Sequence, residues 1–425
     1  MKVCVLGLWH LGSVTAACCA RHFDVSGLDF DDRVIASLRQ GKAPIFEPGL
    51  NEWLADGLSS GRLRFTTEPQ QACAEAEVLW VCYDTPVNEH DESDVAFVLD
   101  RLRRALPVLR PGAVVLLSSQ LPVGTCRQLE VEFPQFTFAC SPENLRLGRA
   151  LDAFTKAERA IVGTRGETGQ ALLQRLFAPF TPLVLFVRTE SAEMVKHALN
   201  SFLAVSITFI NEIARLCELT GADAREVSAG LKSDARIGPR AYLGPGGPFA
   251  GGTLARDVVT LLDVAKQHGE SVSLLPAIKA SNDWHRGWAL RKLESRLGDL
   301  RDKTIAVLGL VYTPNTDTLR RSAAVELCQH LLARGARVRA FDPAVKHAAP
   351  ELAATGRPKD LVDSLRGADA AVVGTEWPQF RQANWGELIP LMRQRVVLDP
   401  NRFLEKELKA MPEVEHLFVG RADVA

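Results

Sequence analysis

Short, continuously apolar segments alternate with helical patterns at both ends of the chain, and this alternation constrains the fold more than any other feature. Residues 1 to about 130 contain KVCVLGL, DVSGLD, EVLWVCYDTP and AVVLLSSQLPVGT. The same pattern returns at 303–312, 336–343, 369–377 and 395–403. Strands that are apolar on both faces are typical of parallel sheets covered by helices on each side. We therefore predict an α/β fold with two doubly wound (Rossmann-like) parallel-sheet domains.

The segment between these regions is predicted to be mostly helical. Residues 191–223 carry apolar side chains at helical spacing throughout, and the pattern ends at Gly221. A helix of this length usually links domains or packs against a symmetry-related copy, and we expect this central helix to do both. The predicted division is 1–190, 191–290 and 291–425.

Composition excludes several classes of function. Fifty basic and 51 acidic residues leave a net charge of −1, so no global field attracts nucleic acid or an anionic membrane. The chain has no run of about 18 apolar residues and starts directly with a strand pattern, so we expect a cytoplasmic protein. Nine cysteines are scattered without C-x-x-C spacing, which indicates reduced core thiols and no metal site.

The end of the first strand has features of a dinucleotide-binding turn. In VLGLWHLG, Gly7 allows a tight turn and Gly12 allows close helix packing, with Leu11 beside it in the predicted cofactor site. Asp29 closes the second strand, where a carboxylate accepts hydrogen bonds from ribose hydroxyls and repels a 2′-phosphate, so the predicted cofactor is NAD. Trp9 replaces the middle glycine of the usual triplet, which leaves an ordinary strand-to-helix turn as the alternative.

The second α/β region lacks a glycine triplet and has basic residues instead. Arg320, Arg321 and Arg402 could hold a nucleotide diphosphate, because guanidinium groups match phosphate oxygens; a solvated basic face is the alternative. A glycine-rich loop from Tyr242 to Gly252 is expected to present backbone N–H groups to phosphate and sugar. The predicted substrate-binding positions in this loop are Tyr242, Gly246, Phe249 and Gly251.

Taken together, these motifs resemble the UDP-glucose/GDP-mannose dehydrogenase family over nearly the whole chain. The resemblance implies an NAD-binding N-terminal domain, a central helical dimerisation segment and a C-terminal UDP-binding domain, with a nucleotide sugar as substrate and a homodimer as the assembly. The segments that carry it, in the family's order, are VLGLWHLG, APIFEPGL, VCYDTPV, SSQLPVGT, SPENLRLGRAL, AEMVKHALNSFLAVSITFINEIARLCE, DARIGPRAYLGPGGPFAGG, AVLGLVYTPNTDTLRRS and GTEWPQF.

The resemblance also implies roles for individual residues. Members of the family oxidise a sugar C6 alcohol to a carboxylate in two hydride transfers to NAD. A helix lysine and asparagine that stabilise the oxyanion fall on Lys196 and Asn200, whose i, i+4 spacing places them on one helix face. The aspartate that activates water falls on Asp257. Glu143 matches the glutamate of the substrate-side loop, with a surface charge as the alternative.

Three further positions are assigned in the same way. Arg236 matches an arginine that reaches the nucleotide sugar from the same or the partner subunit. Thr85 and Pro86 follow a strand and would line the nicotinamide side, or form a plain strand-ending turn.

The sequence differs from the family at the position of the catalytic nucleophile. FAGGTLARD aligns on the family's FGGSCFPKD, which places Thr253 where the nucleophilic cysteine stands. A hydroxyl is far less acidic than a thiol, and no base is adjacent in sequence, so a thioester intermediate is impossible here. Gln120, Leu147 and Thr313 likewise replace polar partners of the substrate or of the hydrolytic water.

Three hypotheses follow from this departure. The first is a single two-electron oxidation with Lys196 as base, which releases an aldehyde, its hydrate or a ketone. The second keeps the four-electron oxidation, with hydrated aldehyde as the second substrate and Asp257 promoting hydration. The third is a catalytically silent nucleotide-sugar-binding protein. One, two or no molecules of NAD reduced per sugar consumed distinguish them.

Overall fold

The structure, a computed structural model, consists of two compact units that are described separately. They comprise Met1–Leu199 and Asn200–Ala425. Each unit has its own largely parallel sheet, which confirms the predicted α/β class. The structure describes residues 1–88, 92–143, 145, 147–250, 253–314, 316–319, 321–345 and 349–422.

The first unit contains, among its described residues, an eight-stranded sheet. Its order is β3-β2-β1-β4-β5-β6-β7-β8, and neighbouring strands are parallel except β6 and β7. The direction of winding reverses between β1 and β4, which creates the switch point where doubly wound sheets bind ligands. The strands are β1 (Lys2–Leu6), β2 (Asp24–Leu28), β3 (Leu63–Thr66), β4 (Val78–Val81), β5 (Val114–Leu117), β6 (Thr137–Cys140), β7 (Ala160–Thr164) and β8 (Val184–Val187).

Helices cover both faces of this sheet, and β1 shows why the strand is apolar throughout. Val3 and Val5 pack into a core on one face, whereas Cys4 and Leu6 pack into a second core on the other. A short 3₁₀ segment, Leu106–Val108, follows the fifth helix. The helices are α1 (His10–Ala20), α2 (Asp32–Leu38), α3 (Leu50–Ser59), α4 (Pro69–Cys73), α5 (Val95–Ala105), α6 (Thr125–Glu132), α7 (Ala150–Thr155) and α8 (Gln170–Phe177).

The predicted central helix is present as α9, Thr189–Thr220. It ends directly before Gly221, whose φ of 80° is left-handed and favours glycine at the end of a helix. Several large apolar side chains on α9 are exposed, namely Phe202, Phe209, Leu216 and Leu219. The helix therefore has an apolar surface that the described chain does not cover.

The second unit continues with four helices and a five-stranded parallel sheet within its described residues. The sheet order is β10-β9-β11-β12-β13. Along β9, Ile305 and Val307 face one core and Ala306 and Leu308 face another, so this sheet is also covered on both sides. The helices are α10 (Ala224–Ser233), α11 (Thr253–Gln267), α12 (Leu274–Arg286) and α13 (Trp288–Leu297), and the strands are β9 (Thr304–Leu308), β10 (Arg337–Phe341), β11 (Ala370–Val373), β12 (Val396–Leu398) and β13 (Glu415–Leu417).

Shorter helices complete this unit. Two 3₁₀ segments, Pro350–Leu352 and Ile389–Leu391, lie among them. The α-helices are α14 (Ala323–Ala333), α15 (Leu361–Leu365), α16 (Pro378–Gln382), α17 (Trp385–Leu388) and α18 (Glu405–Leu408).

All nine cysteines are buried free thiols, as predicted for core residues. Within the described ranges, no helix combines the length and the apolar character that crossing a bilayer requires.

Candidate functional site

The turn after β1 requires its two glycines. Gly7 has a φ of 89°, and a Cβ added there would lie 2.5 Å from the Tyr83 ring. A Cβ on Gly12 would lie 1.7 Å from the Gly7 carbonyl oxygen, so a larger residue would push α1 away from the strand. The geometry therefore matches the roles predicted for these two residues.

The N-terminus of α1 follows this turn immediately. Trp9 is the N-cap residue, and its φ of −73° is one that any residue adopts, so this position does not demand glycine. Its indole is 47% exposed, whereas Leu11 is buried. The first helical bond runs from Ser13 N–H to the Trp9 carbonyl, and the preceding N–H groups have no acceptor within the helix. Such a terminus favours an anion.

Asp29 connects the end of β2 to the same turn. Its Oδ2 accepts from Leu8 N–H at 2.7 Å and its Oδ1 from Asp31 N–H at 3.1 Å. Burial raises the pKa of this carboxyl, although the backbone N–H groups oppose the shift. Each carboxylate oxygen retains a further lone pair for a hydroxyl donor. The residues at this switch point therefore fit a dinucleotide with a free ribose diol.

The turn after β4 is tied to the segment after β5. Thr85 is buried, and its hydroxyl donates to the Gln120 carbonyl at 2.7 Å. The Pro86 carbonyl accepts from Asp94 N–H at 2.8 Å, so this turn also leads into α5. Thr85 and Pro86 thus lie at the carboxyl end of the strand next to β1, the edge where the dinucleotide turn is found.

Lys196 and Glu143 form an ion pair within the first unit. The Lys196 Nζ donates to the Glu143 carbonyl at 2.6 Å and to its Oε1 at 3.1 Å. The other carboxylate oxygen accepts from Leu145 N–H at 2.7 Å. Lys196 is largely buried, so its ammonium is held in one place and Glu143 is not a free surface charge.

In the second unit, Asn200 and Asp257 are paired in a buried environment. The Asn200 Nδ2 donates to Asp257 Oδ2, and the Asp257 side chain is fully buried. Thr253 begins α11 and is exposed, one helical turn before Asp257 on the same helix. Thr253 thus lies one turn from Asp257, and Asp257 is bonded to Asn200.

The glycine-rich loop before α11 is held by asparagine side chains that the sequence analysis did not identify. Gly246 N–H donates to Asn211 Oδ1 at 3.0 Å, and Gly247 N–H donates to Asn401 Oδ1 at 2.7 Å. Phe249 N–H donates to Asn282 Oδ1 at 3.0 Å. These three N–H groups are therefore unavailable to an anion, so the expectation that the loop presents N–H groups to phosphate is wrong at these positions and stays a prediction for the rest of the loop. For Asn211 and Asn282 the only signal in the sequence is an asparagine inside an otherwise apolar helical pattern, whereas Asn401 lies in the turn after β12.

The same loop borders a cavity of about 730 Å³ within the second unit. This volume is in the range of small-molecule sites. The lining includes the predicted residues Tyr242, Gly246, Phe249 and Thr253, together with Lys232, Tyr312, Thr313, Arg321 and Asn401.

Two predicted arginines are engaged elsewhere. The Arg236 guanidinium is exposed and binds Asp234 two residues away, at 2.7 and 3.0 Å. Arg402 is buried and pairs in bidentate geometry with Asp223 at 2.8 and 2.9 Å, while its guanidinium lies over the Phe418 ring. Arg402 thus connects the turn after β12 to the N-cap of α10. Gly251 and Arg320, the other predicted substrate residues, lie outside the described residues.

The second sheet repeats the turn of the first but fills its acidic position. Gly309 has a φ of 87°, and Asp342 follows β10 as Asp29 follows β2. The Asp342 Oδ2 accepts from Leu310 N–H at 2.6 Å, from Val311 N–H at 3.0 Å and from the Trp377 indole N–H at 3.1 Å. This oxygen is fully used within the protein, whereas Oδ1 accepts from Ala344 N–H alone among the described residues, at 2.8 Å.

Comparison with known proteins finds matches to three successive parts of the chain. Models of the UDP-glucose/GDP-mannose dehydrogenase family match residues 1–181 (NAD binding domain), 190–284 (central domain) and 306–406 (UDP binding domain). The chain is 34% identical to UDP-glucose 6-dehydrogenase of Rhizobium meliloti over the whole of both proteins.

Two solved structures are similar throughout. A UDP-glucose dehydrogenase from Pyrobaculum islandicum has a TM-score of 0.85 and 31% identity, with 94% of this chain and 93% of that chain covered. A UDP-D-ManNAc dehydrogenase from Pyrococcus horikoshii has a TM-score of 0.86 and 28% identity over the whole of both chains. With the switch-point turn that fits NAD and a separate cavity in the second unit, these matches identify the chain as a member of the UDP-glucose/GDP-mannose dehydrogenase family, and hence as an NAD-dependent nucleotide-sugar dehydrogenase.

Proposed function

We propose that this enzyme oxidises the primary alcohol of a UDP-hexose in a single two-electron step. The observation that carries this proposal is Thr253, which is exposed at the start of α11, lines the cavity and stands one turn from the buried Asn200–Asp257 pair. A hydroxyl at that point does not form the acyl intermediate through which a thiol would carry the second oxidation. The aldehyde or its hydrate is then the product.

Lys196 and Asn200 are the proposed groups at the reacting oxygen. They lie one turn apart on the same face of α9, where an ammonium and a carboxamide can both donate to a developing alkoxide. Glu143 holds the ammonium in position through its carbonyl and its carboxylate. Lys196 is also the proposed base for the hydroxyl proton, as in the first hypothesis above.

The proposed oxidation consumes one molecule of NAD⁺ for each sugar. The C6–H bond breaks as hydride and the O–H bond breaks as a proton, so R–CH₂OH and NAD⁺ give R–CHO, NADH and H⁺. Hydride acceptance at the nicotinamide is the chemistry that NAD supplies when bound. Gly7, Trp9, Leu11, Gly12, Asp29, Thr85 and Pro86 are the residues proposed to hold it.

The position of Asp257 supports the four-electron oxidation as a second candidate function. A fully buried carboxylate that is bonded to Asn200 and lies one turn from an exposed hydroxyl could orient a water on the aldehyde. A hydrated aldehyde has the C–H and O–H bonds that a second hydride transfer needs. In this case the product is the uronic acid, although no covalent intermediate forms.

The decisive measurement is the ratio of NADH formed to sugar consumed, combined with the product mass. Purified protein is incubated with NAD and with UDP-glucose, UDP-N-acetylmannosamine or GDP-mannose in parallel. The proposal predicts a ratio of one and a product two mass units lighter than the substrate, or its hydrate. A ratio of two with a gain of fourteen mass units would establish the acid, and no NADH with any sugar would indicate a binding protein.

We also propose that two copies associate through the central helix. Support comes from the exposed apolar residues on α9, of which Leu219 is 82% and Phe202 is 66% exposed. Large apolar side chains grouped on one exposed helix mark interaction surfaces. We also propose that the chain divides into an NAD-binding region (1–190), a central region (191–290) and a UDP-binding region (291–425). The proposed location is the cytoplasm.

A further inference from the structure

The loop Gly244–Ala250 has no secondary structure, so side chains must satisfy its backbone. Asparagines bond the N–H groups of Gly246, Gly247 and Phe249, as described above. The carbonyl groups are bonded as well. Asn211 Nδ2 donates to the Gly247 carbonyl at 3.2 Å, and Asn282 Nδ2 donates to the Phe249 carbonyl at 2.9 Å.

The Gly246 carbonyl is bonded by a histidine instead of an amide. His285 lies in the last turn of α12, is 1% exposed, and has its Nε2 at 2.7 Å from this oxygen. A carbonyl only accepts, so the hydrogen must be on Nε2. The other nitrogen, Nδ1, lies 3.2 Å from Arg215 Nη1. A guanidinium only donates, so Nδ1 must carry the lone pair. Both neighbours therefore require the same neutral tautomer.

The charges around His285 also keep it neutral. Burial has the largest effect on the pKa of His285 and lowers it, and the positive charges of Arg215 on α9 and Arg291 on α13 lower it further. The hydrogen bond to Gly246 has the opposite effect, smaller than that of burial. Together these effects lower the pKa of His285 from 6.5 to about 4. Arg291 does not bond the imidazole, because its Nη1 donates to the Trp284 carbonyl and its guanidinium lies over the Trp284 ring.

We propose that His285 is a positioning residue of the nucleotide-sugar site, in which Arg215 fixes the imidazole so that its Nε2–H holds the Gly246 carbonyl and the cavity-lining loop. The substrate part of this inference rests on the proposed function, whereas the hydrogen-bond relay from Arg215 through His285 to Gly246 does not. His285 itself lines the cavity, but in this assignment it does not touch the reacting atoms and acts through the loop that carries Phe249.

Two replacements of His285 separate the hydrogen bond from the bulk of the ring. Glutamine keeps a donor at the position of Nε2, whereas asparagine keeps a polar group near Nδ1 but does not reach Gly246. We expect H285N to raise KM for UDP-glucose about tenfold with kcat within about twofold, because a binding interaction is lost uniformly. H285Q should stay within about twofold of the native enzyme, and KM for NAD should change in neither variant.

Equal losses in H285Q and H285N would show that only the volume of the ring matters and would overturn the proposal. An unchanged KM in H285N would overturn it as well. A parallel rise in KM for NAD would show a general loss of structure instead of a local effect on the loop.

A second experiment needs no substrate. In ¹⁵N-histidine NMR spectra, assigned through H285Q, the His285 signal at pH 7 should be that of the neutral Nε2–H tautomer. R215M and R291M each remove one positive charge near the imidazole, but only R215M removes the partner of Nδ1. We expect R215M to raise the pKa of His285 more than R291M does. A neutral Nδ1–H tautomer or a charged ring at pH 7 would contradict the relay.

Hydrogen exchange keeps this inference separate from the proposed function. The backbone amides of Gly246, Gly247 and Phe249 should exchange at least about fivefold faster in H285N than in H285Q, because the loop loses one of its anchors. If the native protein binds none of the sugars while this difference is found, the proposed function fails and the relay stands. Equal exchange in both variants would overturn the relay regardless of activity.

Discussion

In the proposed two-electron reaction the outcome depends on Thr253, so its replacement is the most informative. We expect T253C to shift the ratio of NADH to sugar from one to two and to release the acid, because a thiolate can add to the aldehyde and carry the second oxidation. The ratio is measured by absorbance of NADH against sugar consumed, and product mass identifies the acid.

T253S is the matched control, since it keeps a hydroxyl and should keep a ratio of one. A native enzyme that already gives a ratio of two would show that the hydroxyl at this position does not limit the reaction to one step. Failure of T253C alone to form acid would indicate that Gln120, Leu147 or Thr313 also has to change.

His285 should also give the protein a characteristic loss of stability in acid. Between pH 6.5 and about 4 the native imidazole stays neutral, whereas the unfolded chain takes up a proton. Unfolding therefore binds a proton, and the free energy of unfolding falls as the pH is lowered through this window, by about 3 kcal/mol in total. H285Q lacks this contribution. Urea denaturation at pH 7 and pH 4.5 should show a smaller pH-dependent loss in H285Q than in the native protein, and equal losses would contradict the neutral buried state.

At the scale of single elements, α9 also organises the helix that follows β5. Glu193 on α9 is buried and accepts from Gly124 N–H at 2.6 Å and Cys126 N–H at 2.9 Å, so it satisfies the first turn of α6. Burial raises the pKa of this carboxyl, which means that the two N–H bonds only partly offset the cost of desolvation. Glu193 was not recognised in the sequence because an acidic residue on a long helix is usually a solvated one.

We expect E193A to lower the free energy of unfolding by about 3 kcal/mol, because two buried N–H groups lose a charged acceptor. E190A is the control on the same helix, since Glu190 is more exposed and pairs with Arg165, and it should cost less than about 1 kcal/mol. Both values come from chemical denaturation. Similar losses in the two variants would mean that Glu193 does not cap α6.

Prediction from sequence succeeded where an element's pattern is local and failed where partners are distant. The central helix was predicted because its period and its terminating Gly221 are adjacent in the chain. The short strands β3, β6, β7 and β8 carry only four or five residues each and were not singled out. The anchors of the glycine-rich loop were missed for a related reason: Asn401 lies 154 residues from Gly247, and nothing local in the sequence connects them.

At the scale of the whole molecule, both sheets could be predicted, but the partners of individual charged residues could not. The alternation of apolar strands and helices identified the two α/β regions. The same sequence gives no sign that Arg402 would bind Asp223, because that pair joins residues 179 positions apart. The described chain divides inside α9, between residues 199 and 200, so this helix belongs to both units.

The apolar surface of α9 leads to a prediction about assembly. We expect the native protein to have twice the 46.5 kDa chain mass by light scattering, and the double variant L216E/L219E to have the mass of one chain. Two carboxylates placed in an apolar contact would cost more than the contact provides.

V131E is the matched control, because Val131 on α6 is 80% exposed and lies outside the central helix. It should leave the mass unchanged. A native protein that is monomeric at micromolar concentration, or a double variant that stays dimeric, would contradict association through α9.

The burial of all nine cysteines has a practical consequence for labelling. An alkylating reagent should modify almost none of the thiols in the folded native protein, because each thiol is buried in a core. Thr253, by contrast, is exposed. A cysteine introduced there would be the one accessible thiol, so one maleimide per chain could carry a fluorophore or a spin label to the lining of the cavity. Protection of that sulfur by a bound sugar nucleotide would then report occupancy without any turnover.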